Sequence, residues 1–395
     1  MKLGCISFGG PAGQIAIMHD EIVERRKWIS ESRFLHALSF AFVLPGPEAQ
    51  QLATYIGWRL HGVRGAITAG GLFVLPSFVL LCVLSFIYVR FGDVAAVAGV
   101  VRGLGGAVVG LILAAVIRIG GRVARSVLAV VFAAVAFAAI LVGIPFPVIL
   151  LVAAIGGIVL QRFWPGSFPG MGHDDEGDAP PDDVPAKSHR GLLAIPVWLI
   201  VVGALLAVGG VIGDLAGFFS IAALITVGGA YAVLPFVADQ AVNHFGWLTN
   251  KDMVAGLALG ESTPGPLIMV NTFVGFMAGW TSHESYWWAL GGASVATLAT
   301  FIPSFVFILV GGPYVDRLPR SGKLASALHG VSVAVVGVIA ALAVFVGCHV
   351  LIVDDAIDWL ALALAASALI ALARFRINVV WIIIASALAG LLASL

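Results

Sequence analysis

Two Pro-Gly-Pro motifs mark the positions at which this sequence could bind a small anion. They are Pro45-Gly46-Pro47 and Pro264-Gly265-Pro266, and each interrupts an otherwise apolar segment. Proline suits the first position of a helix, and glycine lets the backbone come close to a ligand. The free N–H groups and the positive dipole end of a helix that begins there bind anions without a charged side chain. The motifs therefore predict an anion site made largely of main chain.

Two further breaks, Gly9-Gly10-Pro11 and Gly228-Gly229, interrupt apolar segments in the same way. We expect the four breaks to converge, with polar side chains beside them. The candidate substrate-binding residues are Gly9, Gly10, Pro11, Gln14, Pro45, Gly46, Pro47, Gln51, Gly228, Gly229, Thr263, Pro264, Gly265, Pro266 and Asn271.

Two carboxylates lie beside the Pro-Gly-Pro motifs. Glu48 follows the first motif directly, and Glu261 precedes the second by three residues. Ionisable groups in apolar membrane segments are costly and usually functional. A buried carboxyl group also takes up a proton more readily, so both are candidate proton-coupling residues. The alternative is that each is neutral and hydrogen-bonded to a neighbouring helix.

Arg102 and His329 are candidate cations at the wall of the anion pocket. Arg102 could equally extend to the membrane interface, as long cationic side chains do. The segment from His19 to Arg33 mixes both signs of charge with apolar residues and predicts a helix lying in the cytoplasmic interface. Three widely spaced cysteines and the lack of a dinucleotide or haem motif predict no metal, no cofactor and no enzymatic activity.

The composition places these residues in a lipid bilayer. Of 395 residues, 61% are hydrophobic and 11% are charged, whereas soluble domains carry about 25% charged residues. This excludes a soluble globular protein. Lys plus Arg and Asp plus Glu both number 21, so the charge balance gives no sign of a nucleic-acid partner.

Uninterrupted and interrupted apolar blocks together predict an all-α polytopic membrane protein of about thirteen segments. The uninterrupted blocks are 65–89, 94–117, 127–142, 146–161, 192–212, 287–313, 327–347, 357–373 and 377–394. The interrupted blocks are 3–18, 34–58, 217–238 and 253–279. An alternative reading of the interruptions is simple helix kinking, which membrane helices tolerate.

The chain contains an internal duplication. An offset of 219 pairs Gly9 with Gly228 and the first Pro-Gly-Pro with the second, and an offset of 227 pairs Pro76-Ser77-Phe78 with Pro303-Ser304-Phe305. We predict a first repeat over 1–161, an acidic cytoplasmic linker over 162–191, a linking transmembrane helix over 192–214 and a second repeat over 215–395.

The basic residues predict how the repeats are oriented. If each interrupted block enters halfway and returns, eighteen Lys or Arg residues lie on one side and two, Arg90 and Lys251, on the other. The positive-inside rule favours this re-entrant arrangement over full crossing. The N-terminus is then cytoplasmic, the C-terminus external, and the second repeat inverted relative to the first, as in many secondary transporters.

Three stretches closely resemble the chromate ion transporter family in its long, two-domain form. They are SFGGPAGQIAIMHDEIVERRKWIS (Ser7–Ser30), FVLPGPEAQQLATYIGWRLHG (Phe42–Gly62) and FVLPSF (Phe73–Phe78). Family members usually carry a short stretch before the Lys-Leu-Gly seen here. The resemblance implies a multi-pass protein of the bacterial inner membrane that exports chromate, a tetrahedral dianion, with energy from the proton motive force.

Other functions remain open from the sequence alone. Sulfate or another oxyanion could be exchanged or taken up on the same fold, and a passive anion channel could also use backbone dipoles for selectivity. The expected partners are the oxyanion, protons and lipid, with no nucleic acid. A homodimer is left open.

Overall fold

The computed structural model describes residues 2–6, 10–164, 189–227, 229–313, 322–353, 355–375 and 377–395. These residues are almost entirely helical. In the first half the helices are α1 Lys2–Ile6, α2 Gly10–His19, α3 Glu31–Val43, α4 Glu48–Phe91, α5 Ala95–Val123, α6 Val127–Leu141 and α7 Phe146–Phe163.

In the second half they are α8 Ala194–Val208, α9 Gly210–Ile225, α10 Ala230–Asp239, α11 Asn250–Ser262, α12 Val270–His283, α13 Tyr286–Gly311, α14 Gly322–Leu351, α15 Trp359–Ala373 and α16 Val379–Ser394. Two short strands, β1 Ile352–Val353 and β2 Ala356–Ile357, pair antiparallel between α14 and α15.

Among the described residues, six helical segments are long and apolar enough to cross a bilayer. They are Glu48–Phe91, Ala95–Val123, Phe146–Phe163, Gly191–Val208, Tyr286–Gly311 and Ala325–Leu351. Helices α6, α9, α15 and α16 are shorter but also apolar. The prediction of an all-α polytopic membrane protein is therefore confirmed, whereas the total of about thirteen segments stays a prediction.

One predicted element ends elsewhere than expected. The span predicted over 192–212 ends at Val208, because Gly209 and Gly210 both adopt positive φ, at 71° and 54°, and a new helix, α9, begins at Gly210. Helix α4 is divided at His61 and Gly62, which have non-helical backbone angles and lie between the predicted blocks 34–58 and 65–89. The Pro-Gly-Pro motif therefore leads into a helix of about thirteen residues that is distinct from the membrane-spanning helix that follows it.

The interfacial helix predicted over 19–33 is wrong in its second part. Helix α2 continues as a π-helix over Asp20–Arg25 and then ends. Lys27 adopts a left-handed conformation with φ of 52°, and α3 begins only at Glu31. The chain therefore turns here, and amphipathic spacing alone could not reveal the turn.

This turn recurs in the second half of the chain. A π-helix over Gln240–His244 follows α10, and Gly246, 219 positions after Lys27, has a φ of 62°. The backbone N–H of Trp28 donates to Ile22 O at 2.9 Å, and that of Trp247 donates to Ala241 O at 2.9 Å. Since both residues of each hydrogen bond are shifted by 219, the two halves share their local backbone structure as well as their sequence pattern.

The described residues divide into two compact units. Unit 1 takes those of Met1–Cys82, His173–Ala230 and Pro264–Arg320, and unit 2 takes those of Val83–Gly172, Tyr231–Thr263 and Ser321–Leu395. Each unit combines segments from both halves of the chain. The repeat boundaries predicted from the sequence remain a prediction, and most of the predicted linker lies outside the described residues.

In unit 1, the helices around the first Pro-Gly-Pro motif share an apolar core. Phe34 of α3, Leu52 of α4 and Met18 of α2 are fully or almost fully buried in it, together with Ile308 of α13. Helices α8, α9, α12 and α13 also pack on one another. This core holds the break between α3 and α4 in a fixed place.

In unit 2, glycines bring long helices together. Helix α5 packs on α15 and α16, and α14 packs on α6 and α7. Gly103 of α5 lies against the backbone of Ser386 and Gly390, and its repeat counterpart Gly330 lies against the backbone of Ala153 and Gly157. Small residues permit such close helix packing in membranes.

We expect Gly103→Val to destabilise unit 2, because the added side chain would meet the backbone of α16, which has no flexible end to move aside. Overpacking of this kind costs about 1–3 kcal/mol. The apparent melting temperature of the detergent-purified protein should fall. Gly121→Val on the same helix is the matched control, because no atom lies within 4 Å of a Cβ built there. An equal loss in both variants would contradict the proposed packing.

Candidate functional site

The helix breaks predicted to converge are joined by hydrogen bonds within unit 1. The backbone N–H of Gly46, in the first Pro-Gly-Pro, donates to Thr226 O at 2.7 Å, just before the break at 228–229. The side-chain Nε2 of Gln14, in the helix that begins at Gly10, donates to Gly265 O in the second Pro-Gly-Pro. Each Pro-Gly-Pro of one half is therefore bonded to a segment beside a break of the other half. We call the residues 10–14, 44–51, 226–227, 229–230 and 264–271 the tip cluster.

Ser77 and Ser304 hold the two Pro-Gly-Pro motifs reciprocally. The Ser77 hydroxyl donates to Pro264 O, and the Ser304 hydroxyl accepts a hydrogen bond of 3.4 Å from Gln51 Nε2. These serines are repeat counterparts, and each serves the motif of the opposite half. The repeat offset pairs them in the sequence, but we predicted no role for them, although the shared Pro-Ser-Phe was the available signal.

The central residue of each motif must be glycine, because its φ is positive and because a serine side chain lies too close for a Cβ. Gly46 has a φ of 122° and Gly265 a φ of 118°, angles that L side chains rarely adopt. A Cβ added to Gly46 would collide with Ser304 Oγ, and one added to Gly265 would collide with Ser77 Oγ. The glycines therefore let the chain turn sharply and let the serines approach.

Buried amide side chains surround these turns. Gln51 Nε2 donates to Pro45 O at 2.6 Å, across the motif that precedes α4. Asn271 Nδ2 donates to Thr300 Oγ1 at 3.1 Å. The remaining amide oxygens of Gln50, Gln51 and Asn271 are buried and have no hydrogen-bond partner among the described residues. Buried polar atoms that a protein leaves unsatisfied are uncommon and call for an explanation such as a bound water or ligand.

Glu48 is the first residue of α4 and lies inside the tip cluster. It is 5% exposed, and a Cβ built on Gly229 would be 3.2 Å from its Oε1. Its Oε2 is buried without a hydrogen-bond partner among the described residues. Its carboxyl group lies against the backbone amide of the same residue.

The N-terminus of α4 presents N–H groups without helical partners beside Glu48. The first helical hydrogen bond at this end is from Gln51 N to Pro47 O, at 3.0 Å. The first N–H groups of an α-helix have no partner within the helix, and they carry the positive end of its dipole. After the second motif the chain instead makes a 3-10 turn over Leu267–Met269 before α12 begins. The two motifs are therefore similar in shape but present different helix starts.

Other candidate residues are placed as follows. Gly9 and Gly228 lie outside the described residues, and Pro11 belongs to α2. Thr263 belongs to unit 2, where its hydroxyl donates to Gly260 O at 2.9 Å. A role for these residues in binding stays a prediction.

Glu261 is paired within unit 2. The phenolic hydroxyl of Tyr231 donates to Glu261 Oε1 at 2.7 Å. Tyr231 lies in the first turn of α10, and Glu261 lies in the last turn of α11. The hydrogen bond therefore links two helix ends that flank breaks in the chain. Glu48 and Glu261 were both predicted from the sequence as proton-coupling residues, but their local surroundings differ.

The two predicted pocket cations lie in unit 2. Arg102 has a side chain that is 52% exposed, and its Nε and Nη2 donate to Asp358 at 2.5 and 2.8 Å. These hydrogen bonds hold the pKa of the Asp358 carboxyl below its usual value. A guanidinium already paired in this way is a poor anion receptor, so its role as a pocket cation stays a prediction that the geometry does not favour. His329 is largely buried in α14.

A cavity of about 550 Å³ lies elsewhere in unit 1. It is bounded mainly by apolar residues of α1, α2 and α4, with Glu21 and Arg26 among its lining residues and none from either Pro-Gly-Pro motif. The predicted anion site is therefore a set of converging chain breaks and is separate from this cavity.

Paired helix breaks that meet inside a membrane bundle are the arrangement found in secondary transporters. The sequence matches the Chromate transporter family over residues 1–158 and 213–391. This chain therefore belongs to the Chromate transporter family, as the resemblance noted in the sequence predicted.

Named relatives share most of this chain. It is 33% identical to the chromate transport protein of Pseudomonas aeruginosa, over 86% of this chain and 78% of the relative. It is 31% identical to the chromate transport protein of Cupriavidus metallidurans, over 86% and 79%. The probable chromate transport protein of Synechococcus elongatus is 30% identical, over 88% and 82%. No solved structure matches the chain.

We expect Gly265→Ala to destabilise the tip cluster, because alanine at this φ is strained and its methyl group would meet Ser77 Oγ. Strained backbone of this kind costs about 1–3 kcal/mol. The apparent melting temperature of the purified protein should fall. Gly71→Ala in α4 is the control, since no atom lies near a Cβ built there and its φ is not positive. An unchanged melting temperature for Gly265→Ala would show that the turn is not constrained as described.

Proposed function

We propose that this protein is a secondary active transporter that exports chromate across the bacterial inner membrane with energy from the proton motive force. The observation that carries the proposal is the convergence of helix breaks from both halves of the chain in the tip cluster. Membership of the Chromate transporter family and the names of the relatives support chromate as the cargo.

The oxyanion binds at the tip cluster in this proposal. Its proposed receptor is the set of motif residues Gly10, Pro11, Gln14, Pro45, Gly46, Pro47, Gln51, Gly229, Pro264, Gly265, Pro266 and Asn271. Gly9 and Gly228, outside the described residues, and Thr263, in unit 2, are proposed as substrate-binding residues from the sequence alone. A tetrahedral dianion offers acceptor oxygens in four directions and is suited to amide donors from several chain segments. The oxygen and nitrogen of a side-chain amide occupy similar positions. Rotation of Asn271, whose partner is the Thr300 hydroxyl, would therefore turn an unsatisfied acceptor into a donor.

Glu48 and Glu261 are the proposed proton-coupling residues. Both are carboxyl groups beside the breaks, and no basic side chain forms an ion pair with either among the described residues. A carboxyl group in such surroundings changes protonation as its environment opens and closes. The N-terminus is proposed to be cytoplasmic and the C-terminus external, which places the basic segment Arg25–Arg33 on the cytoplasmic side.

Chromate uptake into inverted vesicles tests this function directly. An exporter moves its substrate from the cytoplasmic face inward in such vesicles, so chromate should accumulate when respiration makes the vesicle interior positive and not after an uncoupler is added. Sulfate added in excess should compete only if the site accepts oxyanions generally. Downhill flux that persists with the uncoupler would indicate a passive channel, and accumulation only in right-side-out vesicles would indicate uptake.

We expect Glu48→Gln to abolish chromate resistance in cells that depend on this protein, because glutamine cannot release a proton. The amount of protein in the membrane should not change, since glutamine has nearly the shape of glutamate. The readout is growth across a chromate series, with membrane protein quantified in parallel. Glu284→Gln replaces an exposed carboxylate that ends α12 and is the control. Full resistance with Glu48→Gln would remove Glu48 from the mechanism.

A further inference from the structure

We infer that the Glu48 carboxylate is itself the anion that occupies the tip cluster when no oxyanion is bound, and that an oxyanion enters only when Glu48 takes up a proton. The inference rests on the proposed function and adds to it the direction in which the proton moves and the number of protons for each oxyanion. It assigns one proton to each oxyanion, carried in the same direction.

The carboxylate occupies a position suited to an anion. Glu48 is the first residue of α4 and interacts with its own backbone amide at that helix start. Its Oε1 also lies against Gly229, the residue before α10 begins. Helix starts of this kind attract negative charge. The carboxylate therefore already lies where a bound oxyanion would receive its hydrogen bonds.

The second oxygen of the same carboxyl group is unsatisfied. Oε2 is buried and has no donor among the described residues, while Gln50, Gln51 and Asn271 contribute further buried oxygens without partners. A charged oxygen without a donor in such surroundings is costly. A proton on Oε2 would remove the charge and give the tip cluster a donor that an oxyanion oxygen could accept.

No charge compensates Glu48 among the described residues. The elements of unit 1 that contribute to the tip cluster carry titratable groups, but in the sequence these lie away from the breaks: His19, Glu31, Arg33, His36, Tyr55, Arg59, His61, Arg64, Asp214, His283 and Tyr286. None of these groups forms an ion pair with Glu48 among the described residues. Tyr231 and Glu261, which also flank breaks, are bonded to each other in unit 2.

Without a cation to balance both, a carboxylate and a dianion in one buried site repel each other strongly. Binding of the oxyanion and deprotonation of Glu48 therefore exclude each other. By reciprocal linkage, protonation of Glu48 strengthens oxyanion binding as much as the oxyanion strengthens protonation.

The transport cycle follows from this exclusion. A cytoplasmic proton binds Glu48 as the oxyanion enters, and both leave on the external side, where the carboxylate returns to the tip cluster. One proton and one dianion together carry a single net negative charge outward. The electrical part of the proton motive force, negative inside, drives such a complex outward, whereas the pH gradient opposes the movement of its proton.

Chromate binding across pH tests the inference. Wild type, Glu48→Gln and the control Glu284→Gln are purified in lipid nanodiscs, and the Kd for chromate is measured from pH 5 to pH 9. At pH values where Glu48 is ionised, wild type and Glu284→Gln should bind about tenfold more weakly for each added pH unit, relative to Glu48→Gln. Glutamine resembles the protonated carboxyl group, so Glu48→Gln should bind at high pH as wild type does at low pH. Protonation of chromate itself is identical in all samples and cancels in the ratio.

Proton uptake on binding gives an independent readout. In weak buffer containing a pH indicator, wild type should take up one proton for each chromate bound, beyond the uptake by Glu48→Gln. Equal pH dependence and equal uptake in wild type and Glu48→Gln would overturn the inference while leaving the proposed function intact. Loss of the pH dependence in Glu261→Gln, and not in Glu48→Gln, would overturn it equally. Absence of chromate binding in every protein at every pH would overturn the proposed function and the inference together.

Discussion

The structure of the tip cluster depends on hydrogen bonds between main chain of one half and side chain or main chain of the other. A helix that stops inside a membrane leaves N–H and C=O groups that lipid cannot satisfy. Here Gly46 N–H is satisfied by Thr226 O, and the carbonyls of Pro264 and Gly265 are satisfied by Ser77 and Gln14. Neither half could leave its helices broken in this way without the other.

The duplication explains why such mutual support is available. Two copies of one sequence each bring a glycine at positive φ and a serine that can approach it, and exchange of partners satisfies both at once. Gly46 with Ser304 and Gly265 with Ser77 are the outcome. The copies have diverged where the proposed chemistry lies: Glu48 follows the motif of the first half, and Leu267 stands at the equivalent place in the second. The two motifs are therefore held by similar glycine–serine contacts, but only the first is followed by a carboxyl group.

Much of this arrangement could be predicted from the sequence, because proline and glycine in an apolar segment have few physical interpretations. The helix breaks, the duplication and the burial of Glu48 were predicted on this basis. The partners could not be predicted: Asp358 for Arg102, Tyr231 for Glu261 and the two serines for the motifs are all distant in the sequence. The turn at Lys27 was missed because a left-handed lysine leaves no compositional signal, whereas its counterpart Gly246 does.

The interruption of α4 at His61 and Gly62 has a mechanical consequence. A continuous helix of 44 residues would act as a stiff rod, and any displacement at Glu48 would be felt at Phe91. Two residues with non-helical angles instead let the chain double back on itself. The segment before the joint packs closely on the segment after it, since Gly57 lies against the backbone of Gly65, and Gly70 lies against the side chain of Thr54. The segment that carries Glu48 is therefore braced by the membrane-spanning part of the same helix.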